Sequence, residues 1–213
     1  MKAVAHPLPP AEAARQADRE AARAVRALRR EGEHDAASER YAEIVERHQR
    51  RASRIAFHYL RDAADADDAV QDAFIRAFVN LDTYRDELPF EVWFTRILVN
   101  GCLDRIKART RRSRWMVALE DHGPGGGREA LDPPAAQPTP EAQALSAERR
   151  RQLSEALARL SERQRAVFVL SHEQGYSSRE VSAMTGMKES TVRVHLFRAI
   201  RKLRTLLHGT LDG

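Results

Sequence analysis

One cysteine in 213 residues, Cys102, leaves no internal disulfide and no Cys-based zinc site. The chain therefore suits a reducing compartment. Aromatic residues make up only 6% of the chain and hydrophobic residues 42%. That supply suits two small cores with polar segments between them better than one thick core. No run approaches the roughly 18 apolar residues of a membrane span, so membrane insertion is not expected. The first twenty residues, MKAVAHPLPPAEAARQADRE, lack an apolar stretch of signal-peptide length. A cytoplasmic protein is expected. Neither a Walker A loop nor HExxH nor a plausible Ser/His/Asp set occurs, so no enzyme, cofactor or metal is expected.

What is present is helix-forming sequence, divided by composition. Residues 1–35 are rich in Ala, Arg and Glu after a Pro-containing start, an N-terminal extension that is partly helical or disordered. Residues 36–118 carry most of the aromatics and long apolar periodicity. Residues 119–145 are rich in proline and glycine and read as a flexible linker. Residues 146–209 form a second helical module. Nothing alternates with period two for long enough to make a strand, so the chain is expected to be all-α, two small helical domains on a linker.

Charge follows the same division. The overall balance is +5, from 36 basic and 31 acidic residues. Acids dominate residues 61–91, whereas residues 105–114 hold bases and no acid, and the second module is strongly basic. An acidic surface beside a basic one implies two partners, and the second module is basic enough for nucleic acid.

The second module contains a helix-turn-helix pattern. Ser161 with Gln164 makes a capping box that starts one helix, stopped at Gly175. Ser177 with Glu180 caps the next, closed by Gly186. A third helix runs from about Glu189 to Leu207. Projected at about 100° per residue, Val192, Leu196, Ala199 and Leu203 form a core stripe. Thr191, Val194, His195, Arg198 and Lys202 fall opposite and suit base edges, while Arg193, Arg201 and Arg204 flank them and suit phosphates. His195 reads equally well as a plain surface histidine.

In the first module, residues 39–60 and 66–81 each form an amphipathic helix. In the second of these, Val70, Phe74, Ala77 and Leu81 project together as core. Asp68, Gln71, Asp72, Ile75 and Val79 project on the far side, where they make either a protein-docking face or a second packing face. The acids Asp65, Asp67, Asp68 and Asp72 do not form an EF-hand, because the sixth and twelfth positions are Val70 and Arg76 rather than Gly and Glu. Residues 90–113 place Phe90, Phe94, Ile97 and Gly101 on one side and Val92, Val99, Leu103 and Ile106 nearly opposite. Between them runs Trp93, Arg96, Asn100, Lys107 and Arg111, a mixture suited to stacked bases and phosphates. Trp93 fits a core position as well.

The run DADDAVQDAFIRAF with VWFTRILVNGCLDRIKARTRR resembles the second conserved region of bacterial RNA polymerase sigma factors. The run LSERQRAVFVLSHEQGYSSREVSAMTGMKESTVRVHLFRAIRKLR resembles their fourth. The two-domain form is similar to the extracytoplasmic-function (ECF) class. The resemblance implies that Asp68, Gln71, Asp72, Ile75 and Arg76 bind the clamp helices of the polymerase largest subunit. It implies that the loop from Asp82 to Pro89 with Tyr84, and then Trp93, Arg96, Asn100, Lys107, Arg111 and Arg112, open and read the −10 element. Thr191, Arg193, Val194, His195, Arg198 and Lys202 would read the −35 element, beside contacts to the flap of the second-largest subunit. Val194 and His195 stand where Ser and Arg are frequent, which bears on the −35 sequence and not on the fold. An anti-sigma factor as partner and a stress or envelope-response regulon follow from the same resemblance. The competing reading is a stand-alone helix-turn-helix regulator that needs no polymerase.

Overall fold

The computed structural model describes residues 10–116, 151–153 and 155–208. The expected linker at 119–145 lies outside the described residues. Helices α1 (Pro10–Glu31), α2 (His34–Leu60), α3 (Ala63–Val79) and α4 (Phe90–Met116) come first. A 3-10 turn at Leu81–Thr83 joins α3 to the loop before α4. The second part holds α5 (helical at 151–153 and 155–158), α6 (Glu162–Phe168), α7 (Ser178–Thr185) and α8 (Glu189–His208). No strand occurs among the described residues.

Local chemistry sets the helix ends. The Asp62 side chain accepts the Asp65 amide at 2.9 Å and starts α3. Ser161 and Gln164 form a reciprocal capping box on α6, and Ser177 and Glu180 form another on α7. α7 ends at Gly186, whose φ of 72° takes the left-handed cap a side chain disfavours. One local expectation needs correction: the helix from Ser161 does not run as α-helix to Gly175. It widens into a π turn at Val169–Glu173, closed by Gln174 N donating to Val169 O at 3.0 Å. The widened turn lies against α2.

The N-terminal segment is part of the first module's packing. Ala21, Ala22 and Val25 are fully buried in the same cluster as Ile44 and Ile55 of α2. Asp18 is buried too, accepting from Arg47 Nε at 2.9 Å and lying 2.9 Å from His48 Nε2. The division drawn at residue 36 thus falls in the first turn of α2, and α1 before it shares the core of α2.

α4 decides the layout. Phe90, Phe94 and Leu98 pack toward α2 and α3, and Phe94 stacks on Phe74 with centroids 4.5 Å apart. The opposite side, with buried Val92 and Val99, belongs to a cluster that continues into Val181, Met184 and Val192 of the second module. α4 packs on α7 directly. Burying each such side chain stabilises by about 1.5–3 kcal/mol. The buried Cys102 thiol sits within this packing, and burial pushes its pKa up to about 12 against an opposing pull from Arg105.

Polar contacts close the seam between the modules. Arg51 of α2 donates Nε to Gln174 Oε1 and Nη1 to Glu91 Oε2, each at 3.0 Å, and bonds the Gln174 carbonyl. Its guanidinium lies 4.2 Å over the Tyr176 ring. Burial raises the Tyr176 phenol to about 12, opposed by the Arg51 charge. His58 Nε2 lies 2.9 Å from Glu173 Oε2 at the same seam. Arg51→Ala should therefore loosen the second module selectively. Amide exchange in α7 should rise by the equivalent of about 1–3 kcal/mol, with α2 and α3 unchanged. Equal protection of α7 in wild type and variant would contradict the seam.

Candidate nucleic-acid interface

With α2, α3 and α7 packed around it, α4 keeps one side open. Arg96, Asn100, Lys107, Arg111 and Arg112 are exposed on or beside that side. Lys107 lies 3.4 Å from Asp104 on the same surface, an exposed pair of little energetic weight. Trp93 resolves the two readings by halves. It is half-buried, its ring 5.4 Å from Tyr84 and 5.5 Å from Phe90. One part of the indole is core and the rest opens toward the basic stripe.

Tyr84, expected at DNA, is withdrawn from the surface. It is 1% exposed, packed edge-on to Phe90, and its hydroxyl donates to Leu88 O at 3.2 Å. Burial, together with the Asp86 charge, raises its phenol above the usual value. The residue underlies the loop, its ring 5.4 Å from both Phe90 and Trp93. The loop residues that do reach solvent are Asp82, Thr83, Arg85, Glu87 and Leu88.

On α3 the far side is not a second packing face among the described residues. Val70, Phe74 and Ala77 are buried, whereas Ile75 is 56% and Val79 60% exposed. Asp68, Gln71, Asp72 and Arg76 are exposed with them. The acids are not bare: Arg105 of α4 pairs with Asp72 and lies 4.0 Å from Asp68. A shallow groove between α3 and α4 is lined by Ala69, Asp72, Arg76, Ile97, Gly101 and Arg105. Large exposed aliphatics beside acids mark a protein-binding surface.

α8 keeps the expected core: Val192, Ala199 and Leu203 are buried and Leu196 is partly so. Arg193, Val194 and Arg198 face solvent. Three expected members are placed otherwise. Thr191 and His195 are half-buried at the edge of the face, and His195 Nδ1 is enclosed without a hydrogen-bond partner. Lys202 donates to the Arg159 carbonyl, tying α8 back to the end of α5. Phe197 was missed in the sequence. It is 68% exposed beside Val194 at 47%. Helical projection puts it about 60° from Val194, on the side of Arg193, Arg201 and Arg204, so the signal was present and was masked by its apolar type. An apolar ring and a valine within a basic rim suit thymine methyls flanked by phosphates.

Among the described residues no group of acids, histidines or cysteines is arranged to hold a metal. No helix among them is long and apolar enough to cross a membrane. The Sigma-70 region 2 pattern matches residues 44–112, and the Sigma-70 region 4 pattern matches residues 150–203. The ECF RNA polymerase sigma factor SigM of Mycobacterium tuberculosis is 35% identical over 173 residues, 80% of each chain. The chain belongs to the ECF class of RNA polymerase sigma factors. SigW of Bacillus subtilis, also an ECF sigma factor, is 27% identical over 178 residues, 84% of this chain and 92% of SigW. The fold is that of the Bartonella quintana sigma factor RpoE, solved with the anti-sigma factor NepR, at a TM-score of 0.63 and 20% identity. That likeness covers 79% of this chain and 96% of RpoE.

As an ECF sigma factor, the chain directs core RNA polymerase to promoters and is an initiation factor rather than an enzyme. Both family segments in one chain disfavour the stand-alone regulator. Because Phe197 is mostly exposed, Phe197→Ala should change folding stability by no more than about 0.5 kcal/mol in urea unfolding. A loss above about 2 kcal/mol would mean that the ring is core.

Proposed function

We propose that this sigma factor divides its work among three surfaces. The α3 face of Asp68, Gln71, Asp72, Ile75 and Arg76, with Val79, docks on the clamp helices of the polymerase largest subunit. The open side of α4, Trp93 with Arg96, Asn100, Lys107, Arg111 and Arg112, takes the −10 element as it unpairs. The solvent face of α8, Arg193, Val194, Phe197 and Arg198, reads the −35 duplex, with Thr191 and His195 at its edge and Lys202 held to α5. Residues 36–118 and 146–209 are the two working domains, with 119–145 as linker. The observation that carries this reading is that, over residues 90–103, α4 is buried toward α2 and α3 on one side and α7 on the other, while Arg96 and Asn100 between them are exposed.

The same reading places the chain in the cytoplasm, where polymerase and promoters are. It includes the flap of the second-largest subunit as a contact of the second domain. It also includes a protein inhibitor of the anti-sigma type, the kind of partner with which the Bartonella quintana relative was solved.

Two substitutions test separate surfaces. Asp72→Arg combined with Gln71→Ala should weaken core polymerase binding at least about tenfold, since a reversed charge at a packed interface costs more than about 1.4 kcal/mol. Unchanged core affinity in a pull-down would show that this face is merely solvated. Arg198→Ala should cost about 1–3 kcal/mol at the preferred −35 sequence and relax selectivity at one base pair. Unaltered −35 selectivity would remove Arg198 from the reading face.

A further inference from the structure

α1 lies outside both segments that the family patterns match. One side of it carries arginines at positions 23, 26 and 29, a three-residue spacing that keeps them on neighbouring turns of one face. All three reach the segment that links α3 to α4. Arg29 Nη1 donates to Phe78 O at 2.9 Å and lies 3.8 Å from Asp82, with its guanidinium 5.3 Å from the Phe78 ring centroid. Arg26 Nη1 donates to Tyr84 O at 3.2 Å. Arg23 Nε donates to Asp86 Oδ2 at 3.0 Å, and its Nη2 bonds the same oxygen. Asp86 Oδ1 is buried with no partner, so Arg23 alone satisfies that carboxylate.

We infer that this arginine row is a brace that positions the 80–89 loop for −10 recognition, with Arg23, Arg26 and Arg29 as positioning residues. The inference rests on the assignment of α4 and this loop to the −10 element. Two physical arguments support it. The loop is held at the Tyr84 carbonyl and at the Asp86 carboxylate, with Arg29 beside Asp82 and bonded to the Phe78 carbonyl at the end of α3, while Tyr84 anchors it from below against Trp93. Holding a loop in its binding shape removes the ordering cost from the binding step. The loop also carries Asp82, Asp86 and Glu87 against a single base, Arg85. Three acids beside a DNA strand repel its phosphates, and three arginines behind them cancel that field at close range.

Charge exchange tests the brace in the full chain with core polymerase. The DNA is a promoter fragment that the wild-type holoenzyme has selected from a randomised library. Arg23→Glu and Asp86→Arg are each measured for core affinity, closed-complex affinity and the rate of isomerisation to the open complex. Each single variant should slow isomerisation about two- to fivefold, the range of an exposed ion pair, with core affinity unchanged. The double variant, which restores an opposite-charge pair, should return to the wild-type rate. Arg23 is well exposed and Asp86 partly so, and thermal unfolding verifies that each variant folds. Normal isomerisation in both singles, a parallel fall in core affinity, or no rescue in the double would overturn the brace. Trp93→Ala in the same assay separates the two levels. If it is slow while the charge variants are normal, only the brace fails. If it too is normal, the −10 assignment fails and the brace with it.

Discussion

Everything in this molecule depends on how α4 is covered. A 27-residue helix with apolar residues on two opposite sides cannot be stable on a single neighbour. α2 and α3 take one side, and α7 of the second module takes the other. What is left is a narrow strip, and the sequence fills that strip with Arg, Asn, Lys and half a tryptophan. The surface proposed for DNA is the part of α4 that packing leaves over, and the helix backbone that carries it is backed by the core directly behind it.

Sharing α4 also joins the modules. The buried cluster runs without a break from Ile44 and Phe94 to Val181 and Met184. Around it, Arg51 gathers Glu91, Gln174 and Tyr176. The seam therefore combines an apolar centre with polar contacts at its edge, the composition of interfaces that can open. The two surfaces proposed for promoter DNA, the α4 strip and the outer face of α8, both remain exposed in this arrangement.

Much of this was legible in the sequence, for reasons that differ by element. The capping boxes at Ser161 and Ser177 are local, so they could be read directly and appear as expected. The α3 stripe of Val70, Phe74 and Ala77 follows from periodicity, and its far side was correctly separated, although only the structure shows that Ile75 and Val79 lack a covering helix. The two-sided burial of α4 was legible, but not which element covers the second side. Tyr84 and Lys202 were misplaced for a common reason. Projection gives the side of a helix, or nothing for a loop, and says nothing of what comes to meet it from distant sequence. Tyr84 meets Phe90 and Trp93, and Lys202 meets the Arg159 carbonyl. Phe197 was legible by projection and was passed over because it is apolar. The role of α1 was illegible because its few large apolar residues gave no hint that three arginines and the Asp18 pair would tie it to the first module.

The central claim is that the uncovered strip of α4 is the surface that meets unpaired promoter DNA. Site-specific photocrosslinking in the holoenzyme open complex tests it most directly, with the probe placed in turn at Asn100 on the strip and at Thr95 on the covered side. The account predicts a crosslink from Asn100 to the non-template strand within the −10 element and none to DNA from Thr95. A crosslink from Thr95 with none from Asn100 would contradict it.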